Sequence, residues 1–270
     1  KLAFLGLGVM GFPMAGHLQN AGHSVTVYNR NAEKSAKWVA NYGGATAPTP
    51  REAAAGADVV LMCVGNDNDV RSVVYGNDGA LAGMKAGAVL VDHTTASAAL
   101  ARELDATAKA QGKSFVDAPV SGGQAGAENG KLGIMCGGDL ATFDAVKDVL
   151  NVYAKALVRI GDAGAGQLTK MVNQICIAGL VQALSEGLAF AQKAGVDPKL
   201  VLEVISKGAA QSWQMENRGN TMIDGKFDFG FAVDWMRKDL GICLEEAKRN
   251  GARLPVTALV DQFYADVQQA

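Results

Sequence analysis

The fold is decided by the stretch Ala3-Phe4-Leu5-Gly6-Leu7-Gly8-Val9-Met10-Gly11-Phe12-Pro13-Met14-Ala15-Gly16-His17-Leu18, where an apolar run turns on three glycines and continues as a helical pattern. At this spacing the first glycine permits a tight turn, the second lets the backbone approach a pyrophosphate, and the third allows close packing of helix and strand. Exposed N–H groups and the helix dipole favour an anion at the turn. The residues that we predict to bind a dinucleotide here are Gly6, Leu7, Gly8, Val9, Met10 and Gly11.

The surroundings of this turn give the G-x-G-x-x-G spacing its weight, because the spacing alone is weak evidence and an incidental glycine turn is the alternative. A second β-rich run follows at residues 24–28, and apolar runs typical of strands buried on both faces recur along the first 161 residues. From about Gly164 onward long helical patterns replace the strand signals. We therefore predict an α/β, Rossmann-type, doubly wound sheet over residues 1–162, followed by an all-α C-terminal domain over residues 163–270.

Composition excludes several classes of protein. The chain has 270 residues, 49% of them hydrophobic, which is ample for a buried core, and its formal net charge is −2. Because no long basic run is present, we expect no nucleic-acid partner. Gly or charged residues interrupt the apolar stretches of membrane-spanning length, and the first residues resemble a core strand more than a signal peptide. We expect no membrane association and a cytoplasmic location.

The metal-binding residue types are scattered. None of the four cysteines belongs to a Cys-x-x-Cys pair, and the three histidines lie in the first half of the chain without an acidic cluster. We expect reduced, buried thiols and no metal site. The residues concerned are Cys63, Cys136, Cys176, Cys243, His17, His23 and His93.

The turn Asn29-Arg30-Asn31 follows the second predicted strand, where NAD-specific proteins of this design present an acid to the ribose hydroxyls. No acid is present, and the guanidinium of Arg30 suits a 2′-phosphate. We therefore predict that all three residues contact the cofactor and that NADP is preferred, with NAD possible. The alternative is that Arg30 is a solvated loop charge.

Two later turns extend the predicted cofactor site. The run 59–64 ends at Val64, beside a polar turn that either flanks the adenosine of the cofactor or caps the next helix. The run 88–92 is followed by Thr94 and Thr95, whose hydroxyls we expect at the nicotinamide ribose. Val64, Thr94 and Thr95 are therefore predicted to bind the cofactor.

The turn Ser121-Gly122-Gly123 follows the apolar run at residues 113–118. It exposes several N–H donors and one hydroxyl without a side-chain wall, which makes a cradle for a small carboxylate. An ordinary glycine turn is the alternative. We predict that these three residues bind a small-molecule carboxylate substrate.

Lys170 lies in a predicted helix that is apolar round most of its circumference, so we expect the helix to be buried. Asn173 and Gln174 lie about one turn beyond Lys170 and can share its face. Because a buried, unpaired ammonium is costly, Lys170 either lines a cleft or pairs with an anion. Desolvation can bring a lysine pKa to roughly 7–8, which suits a general acid/base. The alternative is a Lys170 that extends to the surface.

Four motifs together resemble the β-hydroxyacid dehydrogenase family, typified by 3-hydroxyisobutyrate dehydrogenase, and the resemblance covers the whole chain. The motifs are Gly6-Leu7-Gly8-Val9-Met10-Gly11-Phe12-Pro13-Met14, Asp117-Ala118-Pro119-Val120-Ser121-Gly122-Gly123, Gly164-Ala165-Gly166-Gln167-Leu168-Thr169-Lys170-Met171-Val172-Asn173 and Lys238-Asp239-Leu240.

The resemblance implies hydride transfer between NADP(H) and a small 3-hydroxy acid or its semialdehyde. It implies that Lys170 is the proton donor and acceptor and that the Ser121 turn holds the carboxylate. It also implies that Lys238 reaches toward nicotinamide and substrate, with Asp239, Asn173 and Gln174 among the substrate-binding residues. One departure matters, because the family commonly has a second Asn where this chain has Gln174. The longer amide would reshape the pocket, so the substrate cannot be copied from a relative.

Three other classes of protein share parts of this pattern. Imine reductases usually carry a different residue in place of Lys170. A 6-phosphogluconate dehydrogenase would have a His beside the helix Asn and a longer helical domain. A non-catalytic NADP-binding module would keep the glycine loop but need not keep Lys170. The apolar surface of the C-terminal helices further predicts a homodimer or homotetramer.

Overall fold

The structure is a computed structural model that describes residues 1–229 and 231–269. The chain divides into two compact units, one comprising Lys1–Lys170 and the other beginning at Met171. The first unit contains the β-sheet, and the second consists of helices. The division falls inside one long helix.

One sheet of nine strands is present in the described residues of the first unit. Its strand order is β3-β2-β1-β4-β5-β6-β8-β7, and β9 pairs with β8. The pairs from β3 to β6 are parallel, whereas β8 is antiparallel to β6 and β7 and parallel to β9. The strands are β1 (Leu2–Leu5), β2 (Val25–Tyr28), β3 (Ala45–Thr46), β4 (Val59–Met62), β5 (Val89–Asp92), β6 (Ser114–Asp117), β7 (Val120–Ser121), β8 (Leu132–Gly137) and β9 (Ala154–Gly161).

Helices connect the strands and form the second unit. In chain order they are α1 (Gly11–Asn20), α2 (Ala32–Tyr42), α3 (Pro50–Ala54), α4 (Asp67–Val74), α5 (Ala80–Gly83), α6 (Ala98–Ala110), α7 (Gly123–Glu128), α8 (Leu140–Asn151), α9 (Ala165–Lys193), α10 (Pro198–Ile205), α11 (Trp213–Ile223), α12 (Val233–Asn250) and α13 (Pro255–Gln269).

The central strands are buried on both faces. In β1, Leu2 and Phe4 enter one apolar cluster, whereas Ala3 and Leu5 enter the cluster on the opposite face of the sheet. Successive side chains of a strand point to opposite faces, so an uninterrupted apolar run is required wherever helices cover both sides. The doubly wound α/β fold with a helical C-terminal region, as predicted, is confirmed.

Several local details differ from the sequence-based expectation. β3 and β7 have two residues each, too short to show periodicity, and were not predicted. The expected burial of α9 is incomplete within a single chain, because Val172 is 60% exposed and Leu180 43% exposed. The buried face of α9 instead includes the polar residues Gln167 and Gln174.

α9 is also long and apolar enough to cross a membrane by length and composition, and within the described residues it alone meets that criterion. A core helix of a soluble protein satisfies the same test, so the criterion is weak evidence.

Candidate functional site

The three glycines of the first turn have different surroundings. Gly6 has a φ of +95°, and a methyl group there would collide with the carbonyl oxygen of Cys63. A methyl group at Gly11 would collide with the carbonyl oxygen of Gly6. At Gly8 the same methyl group would meet no heavy atom within 4 Å. Packing within the chain therefore requires glycine at Gly6 and Gly11, whereas at Gly8 the missing side chain leaves room for a group from outside the chain.

The turn leads into a helix with no side-chain cap. α1 begins without a side-chain hydrogen bond to its first turn, whereas Asn31, Thr49 and Asn66 cap the helices that follow them. The first N–H groups of a helix lack intrahelical acceptors and attract anions. The room at Gly8 and this uncapped helix start together fit the phosphates of a dinucleotide.

The residues after β2 brace the glycine turn. The N–H of Leu7 donates to Oδ1 of Asn29 at 2.9 Å, and Asn31 caps α2 by accepting from the N–H of Glu33 at 2.8 Å. Arg30 is more accessible, with a side chain 75% exposed and an ion pair of 3.0 Å to Asp69. Asn29 and Asn31 thus have structural roles, and Arg30 presents the accessible cation at this end of the sheet.

The two threonines after β5 are not equivalent. Thr94 is buried, and its hydroxyl accepts from the N–H of Val64 at 3.0 Å. This hydrogen bond connects Thr94 and Val64, both of which are predicted to bind the cofactor. The N–H of Thr94 donates to Asp92 at 2.8 Å. Thr95 is only partly buried. The hydroxyl of Thr94 is therefore engaged within the chain, and Thr95 is the more accessible of the two.

The Ser121 turn needs two consecutive glycines. Gly122 and Gly123 have φ values of +124° and +61°, and residues other than glycine rarely adopt such positive φ values. Ser121 pairs with Gly133 of β8, and a methyl group at Gly133 would lie 3.0 Å from Oγ of Ser121. The turn therefore exposes the backbone of its two glycines next to the Ser121 hydroxyl.

Lys170 is the last residue of the first unit and is 8% exposed. It lies about one turn after Gln167 along α9, on the buried face of the helix. Burial of an ammonium is costly and lowers its affinity for a proton unless an anion compensates. Lys170 is therefore a buried titratable side chain on the polar face of α9, which makes it a candidate for proton transfer.

The second unit brings four predicted substrate residues together. Nδ2 of Asn173 donates to Oε1 of Gln174 at 2.8 Å, and Nε2 of Gln174 donates to Oδ2 of Asp239 at 2.6 Å. Nζ of Lys238 forms an ion pair with Oδ1 of Asp239 at 3.2 Å. Both ends of the Gln174 amide thus bind within the chain, so the residue that departs from the family pattern orients Asp239.

Four buried polar residues that sequence reasoning did not select lie near the carboxyl ends of the strands. Burial raises the pKa of Asp92 to about 7 and that of Asp117 to about 6, although backbone N–H donors to Asp117 partly offset its burial. Asp92 and Asp117 pair in register on β5 and β6. Each of these two acids ends an apolar run, and Asp117 also opens one of the four family motifs, but nothing local predicts that either acid is buried. The remaining two are His93 and Tyr153.

His93 and Tyr153 form a buried hydrogen-bonded pair in which both side chains are neutral. Nδ1 of His93 lies 2.7 Å from the carbonyl oxygen of Ala118, and Nε2 lies 2.8 Å from the Tyr153 hydroxyl. Because a carbonyl only accepts, Nδ1 carries the proton and the Tyr153 hydroxyl donates to Nε2. Burial lowers the pKa of His93 to about 4 and raises that of Tyr153. This pair is structural at neutral pH.

No group of three or more His, Cys, Asp or Glu residues able to hold a metal ion occurs among the described residues.

Comparisons with known proteins agree with this geometry. Residues 1–161 match the family described as the NAD binding domain of 6-phosphogluconate dehydrogenase, and residues 164–270 match the NAD-binding domain of NADP-dependent 3-hydroxyisobutyrate dehydrogenase. An uncharacterized oxidoreductase of Shewanella frigidimarina is 65% identical over 99% of this chain and 92% of its own length. The 2-hydroxy-3-oxopropionate reductase of Escherichia coli is 35% identical over 98% of this chain and 90% of its own length.

A solved structure is similar throughout. The Mycobacterium tuberculosis 3-hydroxyisobutyrate dehydrogenase with L-serine aligns with a TM-score of 0.90 and 32% identity, over 98% of this chain and 92% of its own. The sheet, the glycine turn and these relatives define an oxidoreductase that binds a nicotinamide cofactor. The chain belongs to the β-hydroxyacid dehydrogenase family, and its activity is that of an NAD(P)-dependent hydroxyacid dehydrogenase.

Proposed function

We propose that the protein transfers a hydride between NADP(H) and a small 3-hydroxy acid or its semialdehyde, with Lys170 as the general acid/base. The observation that carries the proposal is the burial of Lys170 at the start of α9, within the same unit as the glycine turn and the Ser121 turn. A lysine in this position can give a proton to a carbonyl oxygen or take one from a hydroxyl group.

The chain would hold the cofactor through the glycine turn, the first turn of α1, the turn formed by Asn29, Arg30 and Asn31, and Val64. Thr94 and Thr95 would lie at the nicotinamide end. When bound, NADP(H) supplies or accepts the hydride. In the reductive direction the ammonium of Lys170 donates one proton to the carbonyl oxygen of the substrate as that oxygen becomes a hydroxyl. In the oxidative direction the neutral amine removes the hydroxyl proton. The same residue therefore serves both directions.

Ser121, Gly122 and Gly123 would bind the substrate carboxylate, with the hydroxyl and backbone N–H groups as donors. The names of two relatives support this class of substrate. One acts on 2-hydroxy-3-oxopropionate, an aldehydo acid, and the other was solved with L-serine, a 3-hydroxy acid. We propose that Asn173, Lys238 and Asp239 contribute to substrate binding, that Gln174 does so through Asp239, and that Lys238 also contacts the cofactor.

A substrate panel tests this proposal. Aldehydo acids and 3-hydroxy acids of two to five carbons, including glyoxylate, succinic semialdehyde and L-serine, are assayed with NADPH and with NADH. We expect turnover of at least one three- or four-carbon member, and loss of that turnover when its carboxylate is replaced by an amide. Turnover of cyclic imines alone would overturn the proposal, as would NADPH binding without turnover of any member.

We propose that Arg30 makes NADP the preferred cofactor, by pairing with the 2′-phosphate. Its guanidinium is accessible, and no acid occupies the turn that it shares with Asn29 and Asn31. We expect Arg30→Ala to raise the KM for NADPH at least about tenfold, which corresponds to one charge-assisted contact of about 1.4 kcal/mol, and to change the KM for NADH much less.

Steady-state kinetics with both cofactors measures this effect, and Arg253→Ala, which removes another exposed arginine, is the matched control. Equal changes in the two KM values would contradict the role proposed for Arg30.

We propose that the protein is a homodimer or homotetramer. Val172, Leu180 and Phe190 lie along the exposed side of α9 and are 60%, 43% and 75% exposed, and a monomer gains nothing from such a surface. Light scattering coupled to size exclusion should give at least twice the mass of the chain. A Leu180→Glu variant should shift the equilibrium toward monomer, and a monomeric wild type would contradict the proposal.

We propose that the protein is cytoplasmic and that it binds neither nucleic acid nor membranes. The net charge of −2 supports it, because neither a phosphate backbone nor an anionic lipid surface attracts such a chain.

A further inference from the structure

The first turn of α9 is held by a carboxylate from another element. Oδ1 of Asp117, at the end of β6, accepts from the N–H of Gly164 at 2.8 Å, and Oδ2 accepts from the N–H of Gln167 at 2.8 Å. Asp117 is fully buried. A negative group at a helix N-terminus satisfies orphan donors and interacts favourably with the helix dipole. Asp117 therefore caps α9 from a strand that precedes the helix by almost fifty residues.

Two glycines show how closely this carboxylate is enclosed. A methyl group at Gly137, the register partner of Asp117 on β8, would lie 2.5 Å from Oδ1 of Asp117 and 2.8 Å from the backbone nitrogen of Gly166. A methyl group at Gly166 would lie 2.8 Å from Oδ2 of Asp117 and would collide with the carbonyl oxygen of Met135. The ends of β6 and β8 and the first turn of α9 thus leave no room for displacement.

The side chain of Gln167 connects the same turn to the loop after β5. Its Oε1 accepts from the N–H of Ala96 at 3.0 Å, and its Nε2 donates to the carbonyl oxygen of Thr94 at 2.7 Å. All these groups are buried. Both ends of one amide therefore bind the loop that carries Thr95, while the backbone of the same residue binds Asp117.

Lys170 follows Gln167 by about one turn on the same helix. The contacts that hold the first turn of α9 in place therefore also hold the backbone and Cβ of Lys170 in place. We propose that Asp117 and Gln167 are positioning residues that hold Lys170 in register with the loop at Thr94 and Thr95. The inference rests on the role proposed above for Lys170. Neither residue needs to touch the substrate, because a small displacement of an acid/base group is enough to reduce the rate strongly.

The test uses two variants. Gln167→Met keeps the length of the side chain and removes both of its hydrogen bonds to the loop. Asp117→Asn replaces one carboxylate oxygen with an NH₂ group, which then faces a backbone N–H donor and cannot accept from it. Gln19→Met is the matched control, because Gln19 also accepts from a backbone N–H, that of Val25, at the start of β2. Each variant is assayed for kcat, substrate KM, moles of NADPH bound per chain, thermal stability and the pH profile of kcat.

We expect Gln167→Met to lower kcat about 10- to 100-fold, with substrate KM and NADPH stoichiometry nearly unchanged. We also expect the limb of the pH profile that reports Lys170 to move, because a displaced ammonium has different neighbours. Gln19→Met should keep the wild-type kcat and profile.

Two results would overturn the inference. One is a normal kcat in Gln167→Met. The other is a lower kcat with an unchanged pH profile and a matching loss of NADPH stoichiometry, since that pattern means fewer folded molecules with an ordinary Lys170. Lys170→Ala is measured in parallel. If Lys170→Ala stays active, the proposed function fails; if only Gln167→Met stays active, the positioning role alone fails.

Discussion

Replacement of Lys170 with alanine is expected to lower kcat by about 10²–10⁴-fold, the usual contribution of a positioned general acid/base. The binding constant for NADPH should stay near that of wild type, because we propose that the glycine turn and Arg30, and not Lys170, bind the phosphates of the cofactor. Stopped-flow or steady-state turnover measures the first quantity, and the fluorescence of bound NADPH measures the second. The split between the two is the signature of a catalytic residue.

Lys170→Arg separates acid/base chemistry from charge alone. A guanidinium keeps the positive charge but stays protonated at any accessible pH, so it cannot act as the base in alcohol oxidation. We expect Lys170→Arg to be almost as slow as Lys170→Ala in oxidation. Recovery of most of the wild-type rate by arginine would show that only a positive charge is needed.

Lys147→Ala is the matched control for these variants. Lys147 lies on α8, is exposed, and forms a surface ion pair of 3.4 Å with Asp144. Surface pairs contribute little to stability, so this variant should have the wild-type kcat and melting temperature. A near-normal kcat in Lys170→Ala, beside a normal control, would remove Lys170 from the mechanism.

The elements around the site could be predicted wherever a local signal exists. The apolar runs predicted the strands, because a sheet covered on both faces needs uninterrupted apolar residues. Ser97 and Asp197 are of the residue types that favour helix N-caps, and both cap the helices that follow them by accepting from backbone N–H groups. Each of these inferences uses residues within about four positions of one another.

The partners of buried polar groups could not be predicted in the same way. Asp117 ends an apolar run and opens one of the four family motifs, but neither feature predicts that its oxygens accept from backbone N–H groups 47 and 50 residues later. The hydroxyl of Thr94 accepts from the N–H of Val64, 30 residues earlier, and the residues around Thr94 in the sequence do not predict this contact. Such contacts are created by the assembled fold, so no local pattern encodes them.

The sequence also failed to predict which face of α9 is buried, again because the partners of its polar residues lie far away in the sequence. Its apolar composition predicted burial round the helix, yet the buried face carries Gln167 and Gln174 while Val172 is exposed. Composition counts apolar residues but does not say which neighbours satisfy the polar ones. The burial of these two polar residues is explained by the hydrogen bonds of Gln167 to the loop after β5 and of Gln174 to Asp239.

Gly8→Ala is expected to give a folded protein with greatly weakened cofactor binding. A methyl group at Gly8 meets no atom of the chain within 4 Å, so we expect the melting temperature to stay close to that of wild type. The same methyl group would occupy the space that a pyrophosphate needs for close approach to the backbone. We expect the Kd for NADPH to rise at least about tenfold, or about 1.4 kcal/mol, and Gly8→Val to have a larger effect.

Gly11→Ala provides the opposite case within the same turn. Its methyl group would collide with the carbonyl oxygen of Gly6, which is backbone and cannot move aside without opening the turn. We therefore expect Gly11→Ala to lower the melting temperature and the yield of folded protein. The two variants separate a glycine required by a ligand from a glycine required by packing, although both belong to one motif.

Gly241→Ala is the control for glycine replacement as such. Gly241 is an exposed residue of α12, and its methyl group would also meet no atom within 4 Å. Alanine is favoured over glycine inside a helix by about 1 kcal/mol, so this variant should melt slightly higher and bind NADPH normally. If Gly8→Ala matches Gly241→Ala in NADPH affinity, the space at Gly8 does not receive the phosphates, and the cofactor must approach the sheet elsewhere.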